Sequence, residues 1–259
     1  MDKKLAVITG ASSGIGYELA ILCARDGYDL VVAADAAEIR VAAEYFRTLG
    51  VSVEVIEADL ATREGVDTVV QAVADREVDL LLANAGHGLG QAFLSQNFEE
   101  IRHVIDTNVT GTLYLIHTLG GRMKARGEGR ILITGSIAGY IPGAFHAVYN
   151  ASKAFIDSFA AALRAELKDS GVTVTCLMPG PTDTDFFERA ELGETRLAQG
   201  RKDDPAEVAR VGYDAMMQGE PDVVSGWRNK LQASLANLIP SSVLAEQHRR
   251  LAETGTDEG

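Results

Sequence analysis

The chain predicts an α/β fold, a doubly wound parallel β-sheet with helices on both faces. Three observations carry this. Short apolar runs alternate with longer segments of helical periodicity along the whole chain. A glycine-rich loop joins the first run to the first helical segment. The polar residues with most chemistry in them stand just after the apolar runs: Gly10, Asp35, Asp59, Asn84, Ser136 and Pro179. Strands that alternate with helices of ten or more residues imply right-handed crossovers and a parallel sheet, whose ligands sit at the carboxyl ends of the strands.

The elements follow in order. Leu5-Ala6-Val7-Ile8-Thr9 is a short β-rich apolar run, the signature of a buried parallel strand near 4–9. Gly10-Ala11-Ser12-Ser13-Gly14-Ile15-Gly16 comes next, and Tyr17 to Ala24 continues with helical periodicity, giving a helix near 14–26. Further strands are expected near 29–34, 51–56, 78–83, 130–135, 172–178 and 221–224. Helices are expected near 36–49, 62–75, 97–126 (broken), 147–169 and 204–218. Asp203-Asp204-Pro205 marks the start of the last of these, with proline in the first turn. Residues 183–203 are polar and partly helical, a candidate lid over a substrate, and the small, acidic stretch 252–259 reads as a frayed tail. With no internal repeat or low-complexity linker, residues 1–259 read as one domain.

Composition narrows the function classes. A net charge of −13 and a pI near 4.8 argue against nucleic-acid or anionic-membrane partners. Hydrophobic content of 46% with mean hydropathy +0.03 suits a large core, and no apolar run approaches a transmembrane length. The N-terminus enters a strand directly without a signal-peptide pattern, so a cytoplasmic location is expected. Cys23 and Cys176 read as small buried apolar residues of a reducing compartment. The five histidines show no zinc spacing, and no metal is expected.

The sharpest chemical feature is Tyr149-Asn150-Ala151-Ser152-Lys153, with Ser136 thirteen residues upstream of Tyr149. A phenol and an ammonium four residues apart share a helix face. The ammonium favours the phenolate and should lower the tyrosine pKa from its reference of about 10, making an acid/base for an alcohol or ketone. The glycine loop, set between strand and helix, allows a tight turn and brings backbone N–H groups and the positive helix end to a pyrophosphate. Its spacing is G-x-x-x-G-x-G, which differs from the G-x-G-x-x-G of the Rossmann dinucleotide fingerprint.

These motifs together resemble the short-chain dehydrogenases/reductases. The resemblance rests on Thr9 to Gly16, Asn84-Ala85-Gly86, Asn108-Val109-Thr110-Gly111, Ser136, Tyr149, Lys153 and Pro179-Gly180-Pro181-Thr182, covering roughly residues 3 to 225. Ala83 stands where the family often has a first asparagine. The resemblance implies a Rossmann-type sheet and hydride transfer between a nicotinamide cofactor and a secondary alcohol or ketone. By the same resemblance Tyr149 passes the proton, Lys153 lowers its pKa and holds the nicotinamide ribose, and Ser136 binds the substrate oxygen. Asn108 interrupts its helix and holds a water that links Lys153 to solvent. Cofactor contacts are implied for Gly10, Ser12, Ser13, Gly14, Ile15, Gly16, Asp59, Leu60, Asn84, Ala85, Gly86, Pro179, Gly180 and Thr182. Asp59 takes the adenine amino group and Thr182 the carboxamide, each with helix N-capping as its alternative.

Choice of cofactor falls to the end of the second strand, Leu30-Val31-Val32-Ala33-Ala34-Asp35. An acid there accepts from a free ribose 2′-OH and repels a 2′-phosphate, so NAD is expected over NADP. Asp35 lies one residue past the family's usual selecting acid, where Ala34 stands; it could instead cap a helix beginning at Ala36, and Arg40 could reach back to it. Candidate pocket residues are His87, Ile137, Tyr140, His146 and Phe186, with Phe93, Phe145, Phe187 and Trp227 nearby in the reading. Leu113, Leu115, Leu119, Phe155, Phe159 and Leu163 exceed one core-facing stripe and suggest a homodimer or homotetramer. A dinucleotide sensor of the same fold without turnover is the alternative function, although it needs no proton relay.

Overall fold

A computed structural model describes residues 3–190, 199–226, 229 and 239–252. Trp227, residues 191–198 of the expected lid and residues 253–259 of the expected tail lie outside the described residues. The strands are β1 (Leu5–Thr9), β2 (Asp29–Ala34), β3 (Val53–Glu57), β4 (Leu80–Ala83), β5 (Gly129–Thr134), β6 (Val172–Met178) and β7 (Asp222–Val224). All pair in parallel, in the order β3-β2-β1-β4-β5-β6-β7. The order reverses direction between β1 and β4, and such a switch point opens a crevice beyond the strand ends.

Burial of β4 shows how the two faces are covered. Leu80 and Leu82 pack into the cluster that holds Leu19, Phe46 and Met216, while Leu81 and Ala83 pack into the one that holds Val66, Leu119 and Ile156. A strand buried on both sides tolerates no polar alternation, which is why its sequence is Leu-Leu-Leu-Ala. Full burial of each leucine stabilises the fold by about 1.5–3 kcal/mol.

The helices are α1 (Gly14–Arg25), α2 (Ile39–Thr48), α3 (Arg63–Val73), α4, α5 (Ala147–Glu166), α6 (Pro205–Gln218) and α7 (Ser241–Ala252). α4 runs from Phe98–Ile105 through wide π-type turns at Asp106–Gly111 and Ile116–Gly120 to Gly121–Arg126. The break expected in this helix is therefore a local widening, and Asn108 sits in it. Asp204 caps α6 by accepting the Ala206 N–H at 2.9 Å, as the Asp-Asp-Pro signal predicts. Thr62, not Asp59, caps α3. α2 starts at Ile39 rather than at Ala36, so Asp35 does not cap it. α7 has no counterpart in the sequence reading.

Leu115 and Leu119 are fully buried in the protein's own core and are not surplus apolar surface. Phe155 remains 47% exposed and stacks on Phe159 at 6.4 Å, while Ile105 is also exposed. Cys23 and Cys176 are both buried and free, as expected.

Candidate active site

The loop after β1 is shaped by contacts that leave no room for side chains. Gly10 has φ +66°, and a Cβ there would stand 2.9 Å from the Ala85 Cα. Gly16 lies buried in α1, where a Cβ would come within 2.1 Å of the Gly10 carbonyl oxygen. Gly16 thus folds the loop tightly and does not itself line the cleft. Ser13 precedes α1 without a side-chain cap, so the first N–H groups of the helix are left for another acceptor. Gly10, Ser12, Ser13, Gly14 and Ile15 line one wall of a cavity of about 820 Å³. This cradle of uncapped N–H groups fits an anionic pyrophosphate.

The opposite wall comes from the loops after β3 to β6. Asp59, Leu60, Asn84, Ala85 and Gly86 reach it, as do Pro179, Gly180 and Thr182. Asn84 knits two loops together: Thr9 Oγ1 accepts its N–H at 3.0 Å, and its Oδ1 accepts from the Thr134 hydroxyl at 3.0 Å. Asp59 Oδ1 accepts the Ala61 N–H at 2.9 Å, and Thr182 donates to the Gly180 carbonyl at 2.9 Å. Neither residue caps a helix.

Ser136, Tyr149 and Lys153 all line the cleft. Ser136 ends the β5 loop, held by its hydroxyl accepting the Ala138 N–H at 3.1 Å and by its own N–H donating to Asp157 Oδ1 at 3.3 Å. Lys153 is buried, and its Nζ donates to the Thr134 carbonyl at 2.8 Å, 5.9 Å from the Tyr149 ring centre. Burial pushes the Tyr149 phenol up to about 12; the Ser136 hydroxyl lowers it and Asp157 raises it. The net shift is therefore upward, opposite to the lowering expected from Lys153, whose ammonium is turned to the Thr134 carbonyl. Burial likewise lowers the Lys153 pKa, with Asp157 opposing.

Asn108 is buried behind the cleft rather than on its wall. Its Oδ1 accepts the His87 N–H at 2.7 Å, and its Nδ2 donates to the His87 carbonyl and to Ser152 Oγ, each at 2.9 Å. It therefore clamps the loop after β4 onto α5, a contact the sequence did not reveal. Asp157 is a residue that sequence reasoning missed. One turn beyond Lys153, it packs under Gly135 and Gly139, and among the described residues its buried Oδ2 has no hydrogen-bond partner. Burial raises its pKa to about 6 against the opposing pull of Lys153.

Asp35 reaches across the mouth of the cleft. Its Oδ2 accepts from His87 Nε2 at 2.9 Å and from Arg189 Nη2 at 3.1 Å. The His87 hydrogen bond is the chief reason its pKa lies far below the usual carboxylate range. Arg40 instead pairs with Glu57 at 2.9 Å and does not reach back. Asp35, His87 and His103 offer three ligand atoms within 4.8 Å of one another, an arrangement invisible in their sequence spacing.

Of the expected pocket residues, His87, Ile137, His146 and Phe186 line the cleft, and Phe187 joins them. Phe186 lies 5.0 Å from the Tyr149 ring and His146 4.8 Å from it. Tyr140 does not line the cleft: its ring packs on the core and its hydroxyl contacts Met178 Sδ at 3.2 Å. Phe93, half exposed, and Phe145, at φ +60°, do not line the cleft. Leu244, Gln247, His248 and Leu251 of α7 complete the cavity. Their i, i+3, i+4, i+7 spacing is a helical signal that the sequence reading passed over.

The chain matches the short chain dehydrogenase family over residues 4–195. It is 32% identical over 260 residues to an uncharacterized oxidoreductase of Myxococcus xanthus, covering 97% of this chain and 98% of that protein. A short-chain dehydrogenase from Sphingobium yanoikuyae, solved in complex with NADPH, is 28% identical with a TM-score of 0.81, covering 91% of this chain and 94% of that one. The bulky-bulky ketone specific alcohol dehydrogenase from Comamonas testosteroni is 26% identical with a TM-score of 0.77, covering 96% and 99%.

Proposed function

The chain belongs to the short chain dehydrogenase family and is an oxidoreductase; on that premise we propose that it interconverts a secondary alcohol and a ketone, with NAD as the preferred cofactor. The observation that carries this is the convergence of Ser136, Tyr149 and Lys153 on one cleft with the uncapped start of α1. The bound dinucleotide supplies the carbon that gives or takes the hydride. The loop of Gly10 to Ile15 binds its pyrophosphate, and Asp59, Asn84 and Thr182 hold its two ends. Ser136 donates to the substrate oxygen, stabilising the charge that develops there. Tyr149 exchanges its phenolic proton with the same oxygen. Lys153 holds the ribose beside the nicotinamide, and its charge favours the phenolate once its ammonium faces the cleft. Asn108 keeps the β4 loop and α5 in register for this exchange.

Asp35 supports the preference for NAD, because its carboxylate suits a free 2′-OH and opposes a phosphate. Arg189 beside it and the NADPH held by the Sphingobium relative favour the second reading, NADP. The bulky-bulky ketone specificity of the Comamonas relative supports a ketone as the substrate class. A homodimer or homotetramer and a cytoplasmic location complete the proposal; two free buried cysteines favour a reducing compartment. Among the described residues, no helix is long and apolar enough to cross a membrane.

The test is a fluorescence titration with NADH and NADPH, followed by turnover of a panel of ketones and alcohols. Tight binding with no turnover of any panel member would instead support the sensor.

A further inference from the structure

Two imidazoles face one another beside Tyr149 with unused hydrogen-bonding capacity. His146 is 6% exposed, and among the described residues its ring has no protein hydrogen-bond partner; its Nε2 is fully buried. The turn that presents it, Gly143 to His146, is closed by the His146 N–H on the Gly143 carbonyl at 3.0 Å and carries Phe145 at φ +60°. An aromatic residue in the left-handed region is strained, so the surrounding structure enforces this turn. Across the cavity, α7 brings His248 to a ring separation of 6.4 Å from His146. His248 Nδ1 lies 2.9 Å from the Ala144 carbonyl oxygen.

The chemistry of that last contact fixes a tautomer. A carbonyl oxygen only accepts, so His248 Nδ1 carries the hydrogen, and in the neutral ring Nε2 is left as an acceptor. Burial keeps both rings neutral, holding His146 down at about 3 and lowering His248 as well. A neutral His146 offers one N–H and one acceptor. Between them the two rings present a donor and an acceptor, and two hydrogen bonds of about 2.8 Å to one oxygen fit a gap of this size. A hydroxyl matches this pair, since it gives one hydrogen bond and takes another. A carboxylate, which only accepts, leaves the His248 acceptor opposed to its charge.

We infer that His146 and His248 form a subsite for a hydroxyl group on the substrate, remote from the reacting carbon, so that the substrate is a hydroxylated ketone or diol. This rests on the proposed alcohol–ketone activity but is separable from it. The experiment compares kcat/KM for cyclohexanone, 4-hydroxycyclohexanone and 4-oxocyclohexanecarboxylate, with NADH and NADPH each supplied. The hydroxylated probe should exceed cyclohexanone by roughly tenfold, and the carboxylate should fall below both. His146→Phe should bring the ratio of hydroxylated to plain ketone towards one. His248→Asn, whose amide N–H can still donate to the Ala144 carbonyl, withdraws the acceptor from the position of the ring Nε2 and should do the same. Equal use of cyclohexanone and its hydroxyl derivative by the native enzyme, or a preference for the carboxylate, overturns the subsite. A ratio unchanged in both variants does so too. Should no probe turn over, calorimetry of the same probes with the enzyme–NADH complex decides the subsite by the same order of affinities, while the panel of ketones and alcohols decides the alcohol–ketone reading.

Discussion

Arg189 and Asp35, 154 residues apart, meet across the mouth of the cleft, with Arg189 Nη2 3.1 and 3.2 Å from the two carboxylate oxygens. Arg189 belongs to the short helical turn Phe186–Arg189, whose first residue packs on Tyr149. One turn of chain thus touches the proton-transfer residue at one end and the candidate cofactor selector at the other.

Cofactor preference should respond to both partners. NADH should exceed NADPH in kcat/KM, and Asp35→Arg should narrow or invert the ratio, a swing of about 2–4 kcal/mol for exchanging repulsion of the 2′-phosphate for a charge-assisted contact. Arg189→Ala should push the ratio the other way, by about 1 kcal/mol or roughly fivefold, since it leaves the Asp35 charge uncompensated in a screened site. Steady-state kinetics with both dinucleotides checks this. A native preference for NADPH, or no response to Asp35→Arg, rejects Asp35 as selector.

Catalysis by Tyr149 predicts a division between turnover and binding. Tyr149→Phe should lower kcat at least a hundredfold while cofactor affinity, read by NADH fluorescence, stays within a fewfold. Lys153→Met should damage both, because its ammonium serves the phenol and the ribose. Retention of more than a tenth of native kcat in Tyr149→Phe, a loss under about 1.4 kcal/mol, removes the assignment.

The site was legible in sequence where backbone and neighbouring residues carry it. Thr9 to Gly16 could be read because steric demands on a glycine loop are local, and Tyr149 with Lys153 because one helix turn joins them. What escaped depends on contacts between distant segments. Asp35 looked as fit to cap a helix as to face a ribose until α2 was seen to begin at Ile39. Tyr140 follows Ser136 closely, yet a short 3₁₀ turn over Ile137–Tyr140 carries it onto the core. His248 lies far along the chain from every motif, and Arg189, although inside the expected lid, meets Asp35 only across 154 residues of chain. Asp157 has the spacing of an ordinary helix residue, and only the glycines packed over it show that it is buried.

Asp157 predicts an unusual pH dependence of stability. Its pKa is raised in the folded protein to about 6, from an unfolded value of 3.8. The folded state therefore holds the proton more tightly. The resulting stabilisation is complete below the unfolded pKa and is lost as pH rises through about 6. Asp157→Asn keeps an acceptor for the Ser136 N–H and carries no charge. Its Tm relative to native protein should rise between pH 4.5 and pH 8 by a few degrees, corresponding to about 1–3 kcal/mol. A difference in Tm that is flat across this range, or that falls with pH, contradicts a carboxylate strained by burial.

Assembly is the last expectation. After Leu115 and Leu119 are assigned to the core, the large apolar side chains exposed on α4 and α5 are Phe98, Ile105 and Phe155, and Phe155, 47% exposed, has Phe159 stacked beside it. A closed two-fold contact buries the same patch on both copies, so a single charge placed there is felt twice. Phe155→Glu should therefore shift the protein from dimer or tetramer towards monomer, while a substitution at the exposed Leu94, on a different surface segment, should not. Light scattering at micromolar concentration reads the mass directly. A native species of 27.6 kDa alone would discard the oligomer. An oligomer unaffected by Phe155→Glu would move its interface away from α5.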